Sequence, residues 1–248
     1  MIYITGDTHG DWMSRLNANS FPEQKEMTKD DYVIVLGDFG IWDNSKIENY
    51  NLDWLDNKPF TTLFISGNHS NYDILDSLPI EQWNGGNVNF IRPSIIHLMR
   101  GEVFNIENRK FFTFGGASSH DIKDGILEIG DKRIKQWNKD YSKMFRVNHL
   151  SWWERELPNQ EEMDNGIKNL EMNDNKVDYI LTHCPYTSLL KQMDSGSGLY
   201  NSDILTDYLQ RIKQTVGYKQ WLFGHMHINQ NYYWERTTCL YEQITRIL

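Results

Sequence analysis

The sequence predicts an α/β protein with two sheets inside and helices outside, and three observations carry that expectation. Five short apolar runs each end in a polar cluster, segments with helical spacing separate the first of them, and the middle and tail hold further short strands joined by tight turns. The runs are MIYIT before Gly6-Asp7-Thr8-His9, YVIVL before Gly37-Asp38, TLFIS before Gly67-Asn68-His69, VDYIL before Thr182-His183, and QWLF before Gly224-His225-Met226-His227. Unbroken Ile, Val, Leu and aromatic character over such short runs marks strands buried on both faces.

Between the first runs, Ile47, Tyr50, Trp54 and Leu55 recur at helical spacing, so the early chain reads as βαβα around a parallel sheet. From Asn87 to Gly116 successive strands are expected, with a hairpin at Glu107-Asn108-Arg109. The tail NYYWERTTCLYEQITRIL offers more, and the middle and tail strands are expected to form a second sheet packed face to face on the first. Helices are expected at Trp152 to Leu157, around Glu161 to Glu171, and over SDILTDYLQRIK. In the last of these Ser202 or Asp203 can cap, and Ile204, Leu205, Tyr208, Leu209 and Ile212 form the buried stripe.

A chain of 248 residues, 39% of them hydrophobic, can bury a large core, and residues 1–248 read as a single domain. The first residues lack a basic n-region and a long apolar stretch, and no segment reaches bilayer length, so a soluble, cytoplasmic protein with no membrane partner is expected. Cys184 and Cys239 cannot make a disulfide framework and neither belongs to a CxxC pair; both are expected to be reduced, with Cys184 packed in the core. Thirty-four acidic against twenty-five basic side chains give a net charge of −9 without any Lys/Arg block. Extended nucleic-acid binding is therefore not expected, and a small or local anionic substrate is favoured.

In open α/β sheets, ligands sit beyond the carboxyl ends of the strands, where all five clusters would gather. Asp7, His9, Asp38, Asn68, His183, His225 and His227 supply two carboxylates, one amide oxygen and four imidazoles. A His-x-His pair on an extended segment points both rings to one place, which is how a metal site is built. One zinc takes three or four ligands, so this set suits two ions. Mixed nitrogen and oxygen donors favour manganese, iron or zinc over calcium, with manganese the ion to supply in vitro. Asp38 follows a strand between the other ligand carriers and is the natural shared carboxylate.

Asp7-x-His9, Gly37-Asp38, Gly67-Asn68-His69, His183 and Gly224-His225-x-His227, in this order and at strand ends throughout, resemble the calcineurin-like metallophosphoesterases. The resemblance spans nearly the whole chain. It implies a four-layer α/β/β/α sandwich, two packed mixed sheets flanked by helices. It also implies two divalent ions, the first held by Asp7, His9 and His227, the second by Asn68, His183 and His225, with Asp38 bridging. The reaction implied is hydrolysis of a phosphomonoester or phosphodiester by in-line attack of a metal-activated water, without a covalent intermediate. His69 would donate to a phosphate oxygen or protonate the leaving oxygen; fixing the orientation of Asp38 or of a loop is its structural alternative.

Departures from the family pattern narrow the substrate. The protein serine/threonine phosphatase branch continues its second motif to an Asp-Arg pair and ends its third in His-Glu or His-Asp. Here Ile41, Trp42 and Ser70 stand in those places, which argues against that branch, although Asp43 or Asp73 could replace the missing carboxylate. FGGASSHDIKDG and HLSWWERELP resemble a bacterial and phage-borne subgroup of unassigned substrate. A phosphorylated small molecule, nucleotide or phosphopeptide is the expected substrate. The alternatives are a nuclease or a protein phosphatase among enzymes and a non-catalytic metal-binding scaffold of the same fold, but a scaffold would show eroded ligands and here every position is filled. Outside the motifs, His120 either reaches the pocket from its Gly/Ser-rich loop or lies exposed. Arg133 and Arg146 are candidate phosphate clamps, or solvated. Trp152 and Trp153 either stack on a base or fill the core, and His97 and His149 read as packing or capping residues.

Overall fold

The computed structural model describes residues 1–194, 196 and 200–247. Its strands are β1 (Ile2–Thr5), β2 (Tyr32–Val35), β3 (Thr61–Phe64), β4 (Glu81–Trp83), β5 (Gly86–Arg92), β6 (Ile95–Leu98), β7 (Glu102–Ile106) and β8 (Arg109–Phe114). Then follow β9 (Gly125–Leu127), β10 (Phe145–Val147), β11 (Tyr179–Thr182), β12 (Gln220–Phe223), β13 (Gln230–Tyr232), β14 (Thr237–Cys239) and β15 (Thr245–Ile247). The helices are α1 (Trp12–Arg15), α2 (Lys46–Asp56), α3 (Tyr72–Ser77), α4 (Arg133–Trp137), α5 (Gln160–Glu171), α6 (Thr187–Asp194) and α7 (Ile204–Thr215).

Two mixed sheets hold most of the strands, in the orders β15-β1-β2-β3-β6-β5-β4 and β13-β14-β12-β11-β8-β7; β9 and β10 form a separate pair. Neighbours run parallel through β1, β2, β3 and β6 in the first sheet, and through β8, β11, β12 and β14 in the second. Alternation along each strand divides its side chains between two apolar layers. Ile2, Ile4, Ile34 and Leu63 meet Phe111, Tyr179, Leu181 and Leu222 between the sheets. Tyr3, Val33, Val35 and Phe64 face Leu52 and Leu55 of α2 and Leu75 of α3. On the opposite side, Phe112, Ile180, Trp221 and Phe223 meet Leu170 of α5, Leu189 of α6 and Tyr208, Leu209 and Ile212 of α7. The layer order is thus α/β/β/α, as expected.

Several local expectations are corrected. The division of strands between sheets is the largest: β5 and β6 join the first sheet, while VDYIL and QWLF become β11 and β12 at the centre of the second. A strand buried on both faces reads alike in either sheet, and pairing decides its membership; here β6 pairs with β3 and β8 with β11. Trp152 to Leu157 is not a helix. Only a 3-10 turn at Glu154–Glu156 forms, Trp153 is extended with its indole N–H donating to Asp73, and Pro158 disfavours helical backbone at Leu157. In α2 the inward residues are Glu48, Leu52 and Leu55, whereas Ile47 and Tyr50 are exposed. The Glu48 carboxylate accepts from the backbone N–H groups of Trp42, Asp43 and Asn44, which draws that face inward.

Other expectations hold. The hairpin between β7 and β8 closes through Glu107 and Asn108, both at positive φ, the two-residue turn that matches strand twist. Asp203 caps α7 with a capping box to Thr206, and the stripe is as expected except that Ile204, in the first turn, is exposed. Cys184 is buried, as is His97, which stacks on Phe64 and bonds Asn89. Among the described residues no helix is long and apolar enough to cross a membrane.

Leu181 lies fully buried between the sheets, so Leu181→Ala is expected to lower unfolding free energy by about 2–5 kcal/mol. Denaturant unfolding measures this, and a loss below about 1 kcal/mol would contradict close packing at that point.

Candidate metal centre

The five motif clusters follow the carboxyl ends of β1, β2, β3, β11 and β12, and residues from both sheets meet there. The glycines before them permit the approach. A Cβ at Gly67 would fall 2.1 Å from Asp38 Oδ1, and one at Gly37 would fall 2.1 Å from His183 Nδ1. His9, Asp38, His225 and His227 all have positive φ, so the loops turn sharply just where the side chains are presented. This corrects the expected geometry of the His-x-His pair. His225 and His227 do not alternate on an extended strand; each sits in a left-handed turn, and they face two different groups of residues.

The first group is Asp7, His9 and His227. Asp7 is buried, and its Oδ1 accepts from the His225 backbone N–H at 2.9 Å. Its Oδ2 makes no well-aligned hydrogen bond among the described residues, although His227 Nε2 lies 3.2 Å away. His9 Nε2 and His227 Nε2 are 3.1 Å apart, and the His227 ring stacks on Tyr241.

The second group centres on His183, which is fully buried. Its Nδ1–H donates to the Leu36 carbonyl at 2.7 Å, which leaves Nε2 as the atom free to ligate. That nitrogen faces Asn68 Oδ1 at 3.1 Å and Asp38 Oδ2 at 3.5 Å. Burial opposes protonation of His183, but Asp38 and Asp7 outweigh it and push its pKa up to about 9, so the pocket attracts positive charge. Asp38 Oδ1 accepts from the backbone N–H of His69 at 2.8 Å. Asp7 also lies within ligand reach of Asp38 and His183, and therefore belongs to both groups. His225 packs edge-on against His183. The donor set, imidazole nitrogens with carboxylate and amide oxygens, fits first-row divalent cations.

Residues outside the motifs complete the site. Asn68 Nδ2 donates to Ser119 Oγ at 3.3 Å, and Ser119 donates through both N and Oγ to the buried Glu156. This chain fixes the amide so that Oδ1 faces His183. Ser119 lies in FGGASSHDIKDG and Glu156 in HLSWWERELP, segments the sequence singles out, but their link to Asn68 exists only in space. His120 reaches the site, its Nε2 at 2.9 Å from His225 Nε2. A cleft of about 320 Å³ beside these groups is lined by His9, Trp42, His69, Arg146, Leu150, Ser151 and Trp153. Arg146 therefore lies at the cleft, paired through two nitrogens with Asp121, whereas Arg133 is exposed and paired with Asp131. Trp153 is buried and pinned to Asp73, so it forms wall rather than a free stacking surface, while Trp42 lies parallel to His9. Asp43 and Asp73 do not replace the missing carboxylate: Asp43 accepts from Ser45, and Asp73 from His149 and Trp153.

The calcineurin-like phosphoesterase family model matches residues 1–229, and the chain belongs to that family. It is a metal-dependent phosphoesterase. Among solved structures it is similar to a phosphopantetheinyl hydrolase from Mycobacterium tuberculosis at 16% identity, covering 97% of this chain and 87% of that one with a TM-score of 0.47. No curated protein matches it in sequence.

The chain of bonds to Asn68 predicts that Ser119→Ala weakens metal binding by about 10–100-fold while the fold is kept. Equilibrium dialysis against manganese reads this directly, and unchanged affinity would leave Asn68 oriented by other contacts.

Proposed function

We infer that the chain hydrolyses a phosphomonoester or phosphodiester of a small phosphorylated molecule with two divalent ions, manganese being the first to test. Asp7, His9 and His227 hold one ion, Asn68, His183 and His225 the other, and Asp38 bridges. The observation that carries this reading is the close approach of acceptor atoms: His9 Nε2 to His227 Nε2, and His183 Nε2 to Asn68 Oδ1, each at 3.1 Å. Two lone pairs that close need a proton or a cation between them. Although Asp7 touches both groups, its approach to His183 is on the Nδ1 side, already committed to Leu36; Asp38 instead faces the free Nε2, which favours Asp38 as bridge.

Two bound ions supply Lewis acidity toward phosphoryl oxygens and a water nucleophile at neutral pH. The protein's own side chains do the rest. The His69 backbone, not its ring, holds Asp38, and among the described residues the imidazole makes no hydrogen bond. It lines the cleft, free to protonate a leaving oxygen. Arg146, held flat by Asp121, presents a guanidinium to the same cleft and is suited to grip phosphate. A cleft walled by Trp42 and Trp153 fits a small molecule or nucleotide better than a long polymer, in keeping with the net charge of −9. The complete donor set argues against a non-catalytic scaffold. Residues 1–248 are read as one domain, supported by the pairing of β15 with β1.

Asp38→Asn is expected to impair both ion sites with the fold intact; two tightly held ions per chain by elemental analysis would remove Asp38 as the bridge. His69→Ala should lower turnover by about 10²–10⁴-fold on an alkyl phosphoester and far less on a p-nitrophenyl ester, whose phenolate leaves unprotonated. Equal losses on both esters would exclude the general-acid role. Arg146→Ala should raise KM by about 10–100-fold, the worth of a charged hydrogen bond, and a change below about threefold would exclude the clamp.

A further inference from the structure

His120 is the histidine nearest the site that belongs to none of the five clusters, yet the loop carrying it is built as rigidly as theirs. It follows β8, a parallel neighbour of β11, so it leaves the second sheet at the same edge as His183. A Cβ at Gly115 would fall 2.4 Å from Ser66 O, and one at Gly116 would fall 2.3 Å from Glu156 O, so the loop is pressed directly against its neighbours. Ser118 Oγ donates to Asp203, and Ser119 is clamped to Glu156 through both N and Oγ. The imidazole is half-buried, packs edge-on against Tyr200, and brings Nε2 to 2.9 Å from His225 Nε2.

Two descriptions of that contact compete. If one nitrogen donates a hydrogen bond to the other, then either the His225 Nε2 lone pair is consumed or that nitrogen carries a proton. In both cases His225 cannot ligate through Nε2. If both present lone pairs, a cation must lie between them. The two-ion reading needs the His225 lone pair for an ion, and the 2.9 Å spacing is the one two ligands of a shared cation would show. Ligands about 2.1 Å from an ion and at right angles about it are separated by about 3 Å. His9 with His227 and His183 with Asn68 show that same separation, at 3.1 Å each. The His120–His225 contact at 2.9 Å is a third edge of the same kind.

We propose that His120 is a further nitrogen ligand of the ion held by Asn68, His183 and His225, supplied by the loop after β8. This rests on the two-ion reading above. It gives the second ion five protein ligands with the bridging Asp38, one of them from the loop that also orients Asn68 through Ser119. The loop after β8 therefore couples the metal to its surroundings twice, through His120 directly and through Ser119 to the amide.

Manganese and zinc binding to the wild type, His120→Ala and His227→Ala, followed by isothermal titration calorimetry and elemental analysis, tests the assignment. The wild type is expected to hold two ions per chain, and His120→Ala to weaken one of them by at least about tenfold while the other is unchanged. His227→Ala should weaken the other ion. Two ions in the wild type with unchanged affinities in His120→Ala would overturn the His120 assignment and leave the two-ion reading standing. A wild type that holds one ion, weakened in His120→Ala, would sink the two-ion reading and keep His120 as a ligand. A wild type that holds none would remove both. If His120→Ala fails to fold, carbethoxylation of the wild type by diethyl pyrocarbonate decides. His120 should be modified in the metal-free protein and protected by manganese, with exposed His149 reacting equally in both; modification of His120 undiminished by manganese would overturn the proposal.

Discussion

Asp7 and Asp38 are carboxylates taken out of water, and everything near the centre is arranged around them. Burying an ionised carboxylate costs several kcal/mol unless charge or hydrogen bonding offsets it. Each receives one backbone donor, His225 N–H for Asp7 and His69 N–H for Asp38. Each then faces imidazoles rather than a permanent cation: His227 for Asp7 and His183 for Asp38. Burial alone would raise the Asp38 pKa, but His183, His69 and His9 hold it below the usual carboxylate range. The two buried acids draw positive charge to the site, raising the His183 pKa, and its imidazole, carboxylate and amide donors are those that divalent ions fit.

The backbone donors explain why the loops are so sharply bent. Asp38 can meet the His69 N–H only because Gly67 has no Cβ, and His183 can meet Leu36 only because Gly37 has none. Left-handed backbone at His9, Asp38, His225 and His227 turns the loops sharply at four of the seven candidate ligands. Such backbone is unfavourable for residues with side chains, and it is sustained here by parallel strands whose apolar layers fix where each loop begins. Rigid sheet ends therefore set the ligand positions.

Around this centre the cleft gathers groups from distant parts of the chain. Arg146 comes from β10, its partner Asp121 from the loop after β8, His69 from the loop after β3, and Trp42 from the loop after β2. Burial lowers the His69 pKa; Asp38 raises it, Arg146 lowers it and Asp121 raises it, so the Arg–Asp pair acts on the histidine as well as on the cleft. An arginine paired with an acid thus stands beside the cleft histidine even though the chain lacks an adjacent Asp-Arg dipeptide at Ile41-Trp42.

The sequence by itself determined which residue types stand at which strand ends, because a short apolar run followed by Gly and a ligand is a local pattern. It also determined the hairpin at Glu107-Asn108, a cap at Ser202 or Asp203 and the buried stripe from Leu205 to Ile212, the structure choosing Asp203 as the cap. Tertiary structure alone decided what depends on pairing at a distance. It assigned β5 and β6 to one sheet and β11 and β12 to the other, turned Glu48 rather than Ile47 inward, and kept Trp153 extended against Asp73. It separated Arg146, brought to the cleft, from Arg133, left in solvent, though both look alike along the chain. His120 was legible as a loop histidine but not as a neighbour of His225, 105 residues away. Periodicity reports that a residue is buried or presented, whereas the identity of its partner is set by which strands pair and which loops share an edge.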